Sequence, residues 1–167
     1  MRIYLVRHAE SVDRVPGMPD AARHLSAGGR ASFREMARRF RDAGGLPTRI
    51  FTSPFVRAVQ TAEILSEALQ YVGEVAAAPQ LVPGFDADGL NAILDVCPGE
   101  REVALVGHEP DLGRVLTALL SLKTPYAMRK GDIASLDLPI AGVPLRPKLA
   151  WLLTGDRRIE DPVMLVT

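Results

Sequence analysis

The residues best suited to chemistry stand where an apolar segment ends. The run Ile3 to Val6 is followed at once by Arg7 and His8. Such a run is typical of a strand buried on both faces of an open α/β sheet, and these sheets bind ligands at the carboxyl ends of their strands. Neighbouring side chains of a strand face opposite ways, so both residues reach one ligand only if the chain turns out of the sheet. We therefore expect a turn and a site at His8.

Two further segments combine a strand end, a cationic or imidazole side chain and a helix start. Ser53-Pro54 follows a predicted strand, and Arg57 lies in the first turn of the helix after it. Gly107-His108 ends another apolar strand. Helix N-termini and arginine side chains both favour a phosphate-sized dianion, whereas a cation in a first helical turn is unfavourable unless an anion compensates for it. The sequence therefore predicts a phosphate pocket shared by these strand ends.

Strands and helices are predicted to alternate along the chain. Strands are predicted at 3–6, 49–52, 74–81, 102–106, 133–138 and 148–153, and helices are predicted to start after Ser26, at Ser53-Pro54, at Leu90 and near Leu112. Apolar residues recur at helical spacing in each helix, and Gly44-Gly45 ends the first. Consecutive strands late in the chain predict an antiparallel edge. The fold class is α/β, a three-layer α/β/α sandwich with a mostly parallel central sheet. Residues 163–166 fit either a last strand or a mobile tail.

Length and charge restrict the class of protein. A chain of 167 residues with 47% apolar content fits one domain, predicted to span 1–167. Its 20 basic and 20 acidic residues balance, so we expect neither nucleic acid nor membrane as a partner. Cys97 is the only cysteine, which excludes an intrachain disulfide, and we expect it in the core. No long apolar run or signal-peptide pattern occurs, which predicts a cytoplasmic protein.

Three segments resemble, in the same order, the signatures of the histidine phosphatase superfamily, whose fold is called phosphoglycerate mutase-like. They are Leu5-Val6-Arg7-His8-Ala9-Glu10-Ser11, Ser53-Pro54-Phe55-Val56-Arg57-Ala58-Val59-Gln60-Thr61-Ala62 and Leu105-Val106-Gly107-His108-Glu109-Pro110-Asp111-Leu112. Leu25-Ser26 with Gly29-Arg30 also resembles the entry to that family's first helix. The resemblance extends from Met1 to about Leu138. Because large insertions are absent, the SixA-type phosphohistidine phosphatases are the most similar subgroup.

The resemblance implies a role for each residue of the predicted pocket. His8 would be the nucleophile that takes the phosphoryl group and forms a phosphohistidine intermediate, which water then cleaves. Arg7, Arg57 and His108 would hold the phosphoryl oxygens, and positive charge near His8 would disfavour its protonation at neutral pH. Ser11 would add a hydrogen bond at the rim. Positioning and electrostatic stabilisation would then provide most of the catalysis, with no metal ion and no cofactor.

The general acid is the part of the family pattern that this chain does not clearly reproduce. Larger family members carry a carboxylate between the second and third signatures, and the corresponding loop here is 83–89. Asp86 is the first choice for this acid and Asp88 the second. Either could instead cap the helix predicted near Leu90, which is the expected role of Asp88. A phosphoramidate substrate would need the acid less, because imidazole leaves more easily than an alkoxide.

The resemblance implies a phosphatase that acts on a phosphomonoester or a phosphoramidate. Mutases and sugar-phosphate phosphatases of this superfamily use insertions to build a lid over a small ligand, and 167 residues leave little length for one. We therefore expect an open groove, which favours a phosphorylated protein carrying phosphohistidine as the substrate and partner. A small phosphorylated metabolite, such as a sugar phosphate, is the alternative.

Two other functional classes use the same residues. A metal-dependent phosphoesterase would take its ligands from His8, Glu10, His108 and Glu109. Against it, the chain lacks an Asp-x-His motif and has only three histidines. The second class is a phosphate-binding module without turnover, which the uncertain acid leaves open.

The remaining basic and imidazole side chains are expected to be structural. His24 lies in a polar loop and is expected at the surface, although loops beside a site often touch substrate. Four arginines at helical spacing share their helix with Glu35 and Asp42, which favours a solvated helix face over a nucleic-acid site. These arginines are Arg30, Arg34, Arg38 and Arg41.

Overall fold

The computed structural model describes residues 1–139 and 146–165. Its strands are β1 (Arg2–Arg7), β2 (Arg49–Thr52), β3 (Val75–Ala77), β4 (Glu102–Gly107), β5 (Ile133–Asp137), β6 (Lys148–Thr154) and β7 (Arg157–Ile159). Its helices are α1 (Ala27–Asp42), α2 (Val56–Leu69), α3 (Ala87–Asp95) and α4 (Asp111–Leu120). Short 3-10 helices cover Asp20–Ala22, Pro79–Leu81 and Pro162–Leu165.

The strands of the described residues form one seven-stranded sheet in the order β3-β2-β4-β1-β5-β6-β7. The neighbours from β3 to β1 are parallel. The pairs β1–β5, β5–β6 and β6–β7 are antiparallel. Since β6 runs in the direction of β1 to β4, most strands share one direction, and the predicted antiparallel edge is confirmed.

Helices cover both faces of the sheet. Phe40 of α1 packs on Tyr4 of β1, in the layer that also contains α2. Leu90 of α3 and Leu116 of α4 pack with Leu5 of β1 on the opposite face. Tyr4 and Leu5 are neighbours in the strand and both are fully buried. The apolar run at the start of the chain is therefore a strand buried on both faces, and the three-layer α/β/α sandwich is confirmed.

The predicted ends of α1 are confirmed. The Ser26 hydroxyl accepts a hydrogen bond from the Gly29 amide at 3.0 Å, which satisfies one of the free N–H groups of the first turn. The helix ends at Asp42, and Gly44 follows with a φ of +83°. A glycine suits this left-handed backbone because it has no Cβ.

Several predicted boundaries are wrong. The strand expected at 74–81 is limited to β3, because Pro79 lacks an N–H and begins a 3-10 helix. The helix expected at Ser53-Pro54 starts at Val56, since Ser53 turns its hydroxyl toward the Phe55 amide and His108 instead of capping α2. Residues 162–165 are a 3-10 helix and not a strand, and residue 166 lies outside the described residues.

The structure shows where the single cysteine lies and whether a described helix could span a membrane. Cys97 is buried in the core on the α3–α4 side of the sheet, as predicted. Among residues 1–139 and 146–165, no helix combines the length and apolarity required to cross a bilayer.

The first turn of α1 yields a test of packing against the loop after β1. A Cβ at Gly29 would lie 2.1 Å from the carbonyl oxygen of Glu10, so this backbone would have to move. We expect Gly29→Ala to lower the free energy of unfolding by about 1–3 kcal/mol, the usual cost of overpacking. Urea-induced unfolding measures this change.

The neighbouring glycine provides the matched control. No atom lies within 4 Å of a Cβ built on Gly28. Because alanine favours a helix over glycine by about 0.5–1 kcal/mol, Gly28→Ala should stabilise the protein slightly or leave it unchanged. Equal destabilisation by both substitutions would contradict the proposed contact between α1 and Glu10.

Candidate active site

The chain leaves the sheet at His8, at the centre of the fold. Its backbone N–H donates to the carbonyl of Gly107 at 3.0 Å, and its carbonyl accepts from the Gly131 N–H at 3.2 Å. The Arg7 N–H donates to the carbonyl of Asp132 at 3.0 Å. The two residues after the apolar run are therefore held between the end of β4 and the turn before β5.

The structure brings together the predicted phosphate-binding residues at the carboxyl ends of β1, β2 and β4. The ring centroids of His8 and His108 lie 5.2 Å apart. The Arg57 Nε lies 3.2 Å from Nε2 of His8. Together with Arg7 and Ser11 these side chains line a cavity of about 330 Å³.

The hydrogen bonds of His8 define which ring nitrogen is free to react. Nδ1 lies 2.7 Å from the carbonyl oxygen of Ala9, which can only accept, so Nδ1 carries the hydrogen. Nε2 then has a lone pair and accepts a hydrogen bond from Nε of Arg57. Since His8 is only 8% exposed, this lone pair is held in a defined direction.

Both imidazoles of the cavity are neutral at pH 7. Burial lowers the pKa of His8 to about 3; the hydrogen bond to Ala9 opposes this shift, and nearby His108, Arg57 and Arg7 add to it. Burial, followed by the charge of Arg57, lowers the pKa of His108 to about 4. A neutral imidazole is the form that has a nucleophilic nitrogen.

Two residues that line the cavity each have a buried polar atom without a protein partner among the described residues. Arg7 donates from Nη1 to the carbonyl of Met128 at 2.5 Å, but its Nε has no partner. His108 is hydrogen-bonded through Nε2 to the Ser53 hydroxyl at 2.8 Å, but its Nδ1 has no partner. Buried polar groups are costly unless they are paired, yet each of these side chains keeps one unused polar atom beside the cavity.

Asp20 belongs to the cavity although the sequence did not single it out. Its carboxylate accepts from Nη2 of Arg57 at 3.0 Å, and its carbonyl accepts from Nη1 at 2.7 Å. The same carboxylate pairs with Arg23 at 3.0 Å and Arg14 at 3.1 Å. Burial opposes ionisation, but the hydrogen bonds from Arg23 and Arg57 prevail and lower the pKa of Asp20 to about 2. Asp20 thereby holds both terminal nitrogens of Arg57, while Nε of Arg57 contacts His8.

Ser11 is buried and lines the cavity, and it also closes the loop after β1. Its hydroxyl accepts from Nη2 of Arg23 at 2.9 Å, and its backbone forms an isolated antiparallel bridge with Leu25. Because the hydroxyl acts as acceptor in this contact, it keeps its own hydrogen for donation.

The structure does not bring Asp86 or Asp88 to this cavity. Asp86 is the N-cap of α3 and accepts from the Gly89 amide at 3.0 Å, while Asp88 is exposed in the first turn. The expectation that Asp88 caps this helix is wrong, because α3 starts at Ala87 and not near Leu90. Asp86 lines a separate groove of about 710 Å³ between α3 and α4.

The carboxylates that line the site cavity are Asp20 and Glu109. Glu109 follows His108 directly, and its sequence context indicates only a metal ligand or a helix start. No sequence signal connects Asp20 with Arg57, since they are 37 residues apart. Glu109 could have been found as the carboxylate beside the third signature.

The residues proposed for a metal centre do not form one. Within the part of the chain that the structure describes, no group of three or more His, Cys, Asp or Glu side chains could hold a metal ion. Glu10 is exposed and pairs with Lys130 at 2.9 Å, and both oxygens of Glu109 accept backbone N–H groups. His24 is exposed and outside the cavity.

The predicted solvated face of α1 is observed. Arg34, Arg38 and Arg41 are exposed, Arg30 is half-buried, and Arg38 forms an ion pair with Glu35. None of these side chains belongs to the buried apolar cluster that contains Phe33.

Known proteins share this arrangement of sequence and fold. Residues 3–82 match the family described as histidine phosphatase superfamily (branch 1). An uncharacterized protein of Picosynechococcus sp. is 35% identical over 126 residues, which cover 71% of this chain and 73% of that protein. This chain belongs to the histidine phosphatase superfamily. The family predicted from the three signatures is therefore confirmed.

Within the superfamily, this histidine phosphatase is similar to SixA proteins. Phosphohistidine phosphatase SixA of Escherichia coli is 27% identical over 144 residues, covering 85% of this chain and 88% of SixA. The structure of the protein histidine phosphatase SixA complexed with tungstate superposes with a TM-score of 0.82 at 25% identity. The match covers 93% of this chain and 97% of that one.

The environment of His8 predicts its protonation behaviour. Because burial lowers its pKa to about 3, the His8 ring should remain neutral from pH 8 down to pH 5. Imidazole ¹⁵N chemical shifts, recorded as a function of pH, report the protonation of each ring nitrogen. A His8 midpoint near its ordinary value of about 6.5 would contradict the buried, hydrogen-bonded geometry.

Proposed function

We propose that this histidine phosphatase hydrolyses its substrate through a phosphohistidine intermediate on Nε2 of His8. The observation that carries the proposal is the contact between Nε2 of His8 and Nε of Arg57 at 3.2 Å, in a cavity that Arg7 and His108 also line. An imidazole lone pair surrounded by guanidinium groups is suited to attack a phosphorus atom whose oxygens those groups bind.

The reaction consists of two displacements at phosphorus. In the first, the Nε2 lone pair forms a P–N bond while the bond from phosphorus to the leaving group breaks with its electron pair, and the leaving group takes a proton from solvent. In the second, water attacks phosphorus and gives up a proton to solvent, the P–Nε2 bond breaks with its electron pair returning to Nε2, and orthophosphate leaves. Arg7, Arg57 and His108 stabilise the charge on the phosphoryl oxygens in both transition states.

The preferred substrate in this proposal is phosphohistidine on a protein. Neither Asp86 nor Asp88 lines the cavity, and the two carboxylates that do, Asp20 and Glu109, are engaged as hydrogen-bond acceptors. This favours a leaving group that departs without a strong general acid. An imidazole leaving group needs less help from an acid. The E. coli relative is named a phosphohistidine phosphatase, which supports the same substrate class.

A comparison of substrates tests the proposal. We expect kcat/KM for a phosphohistidine peptide to exceed that for a sugar phosphate by at least about tenfold, because the chemistry of the leaving group decides the rate. Activity should persist in excess chelator. His8→Ala should lower hydrolysis by about 10³-fold or more, since it removes the nucleophile.

The control variant is His24→Ala, which removes an exposed histidine outside the cavity and should leave kcat/KM unchanged. A preference for the sugar phosphate would exclude the protein substrate but not the intermediate. Full activity of His8→Ala would exclude the intermediate as well.

A further inference from the structure

Glu109 connects two parts of the fold beside the active site. It follows His108, is half-buried and lines the site cavity. Its Oε2 accepts from the Gly113 N–H at 3.2 Å, in the first turn of α4. Its Oε1 accepts from the Met128 N–H at 3.2 Å, in the segment that leads to β5. Both oxygens of one carboxylate are therefore engaged by backbone N–H groups from two separate segments of the chain.

The Met128 residue held in this way is also the anchor of a phosphate-binding side chain. Its carbonyl oxygen accepts from Nη1 of Arg7 at 2.5 Å. Its side chain is only 1% exposed and packs in the core. Met128 thus presents its N–H to Glu109 and its C=O to Arg7, so the position of one contact constrains the other.

The sequence makes room for this carboxylate. A Cβ on Gly113 would lie 2.3 Å from Oε1 of Glu109 and 2.3 Å from the carbonyl oxygen of Tyr126. Only glycine at this helical position permits the side chain and the segment before β5 to approach α4 together. The absence of a side chain at Gly113 therefore leaves the space in which Glu109 contacts both α4 and Met128.

We propose that Glu109 is a positioning residue that fixes the Arg7 guanidinium through Met128, so that the guanidinium keeps its orientation toward the oxyanion. The inference rests on the proposed function, because Arg7 is taken as a phosphate-binding residue. Glu109 touches no reacting atom in this scheme. Glu109 acts by fixing the orientation of the Arg7 guanidinium, and a small displacement of such a group lowers the rate of phosphoryl transfer considerably.

A double-mutant cycle between Glu109 and Arg7 tests the proposal. We expect Glu109→Ala to weaken inhibition by tungstate and to lower kcat/KM by about 10- to 100-fold. Arg7→Ala should lower both by at least as much. In the Arg7→Ala background, Glu109→Ala should change them by less than about twofold, because no guanidinium is left to position. Independent, multiplicative effects would overturn the proposal.

Two further variants keep the test decisive. Glu109→Gln retains one carbonyl acceptor for the two N–H groups and should give an intermediate loss; it replaces Glu109→Ala in the cycle if that variant does not fold. Asp161→Ala removes another carboxylate that accepts a backbone N–H, that of Val163 at 2.9 Å, and should leave tungstate inhibition unchanged. If Glu109→Gln has the same tungstate inhibition and the same kcat/KM as the wild-type protein, the proposal is also overturned.

The readouts separate this inference from the proposed function. Tungstate affinity, measured by calorimetry, reports the oxyanion site whether or not phosphohistidine is the substrate. If the wild-type chain hydrolyses no phosphorylated substrate but the tungstate cycle shows coupling, the proposed function fails and the positioning role stands. If hydrolysis depends on His8 but the cycle shows no coupling, the positioning role alone fails.

Discussion

The burial of cationic and imidazole side chains at one sheet edge is the constraint on which the structure depends. Arg57 is 5% exposed, and His8 and His108 are 8% and 3% exposed. Such a cluster is stable only if its charges are paired or its titratable members stay neutral. Both occur here. The two imidazoles are uncharged at neutral pH because their pKa values are about 3 and 4, and Asp20 pairs with Arg57. The same neutrality provides the lone pair on which the proposed chemistry depends.

The topology explains why these side chains meet. β1 lies between β4 and β5, and β4 lies between β1 and β2, so the carboxyl ends of β1, β2 and β4 share one edge. A functional side chain follows each of these strands: His8 after β1, Arg57 in the first turn of α2 after β2, and His108 after β4. Contacts from outside the parallel strands then fix the orientation of each arginine. Asp20 holds Arg57, and the Met128 carbonyl holds Arg7.

The central features were predictable because they depend on local sequence. A buried strand needs only its apolar run, and strand ends in a parallel sheet converge by topology, so Arg7, His8, Arg57 and His108 could be placed together. Contacts between distant loops could not be predicted in this way. The pairing of Asp20 with Arg57 and the link from Glu109 to Met128 depend on how long loops fold back. The choice between a general acid and a helix cap for Asp86 was also open from the sequence, because helix ends depend on single capping contacts such as the one it makes to Gly89.

A crystal structure of the protein with bound tungstate tests the central claim most directly. The account predicts one oxyanion in the cavity, with Nε2 of His8 facing the metal atom of the anion and with Arg7, Arg57 and His108 contacting its oxygens. An anion bound elsewhere, or contacted by fewer than two of these side chains, would contradict it.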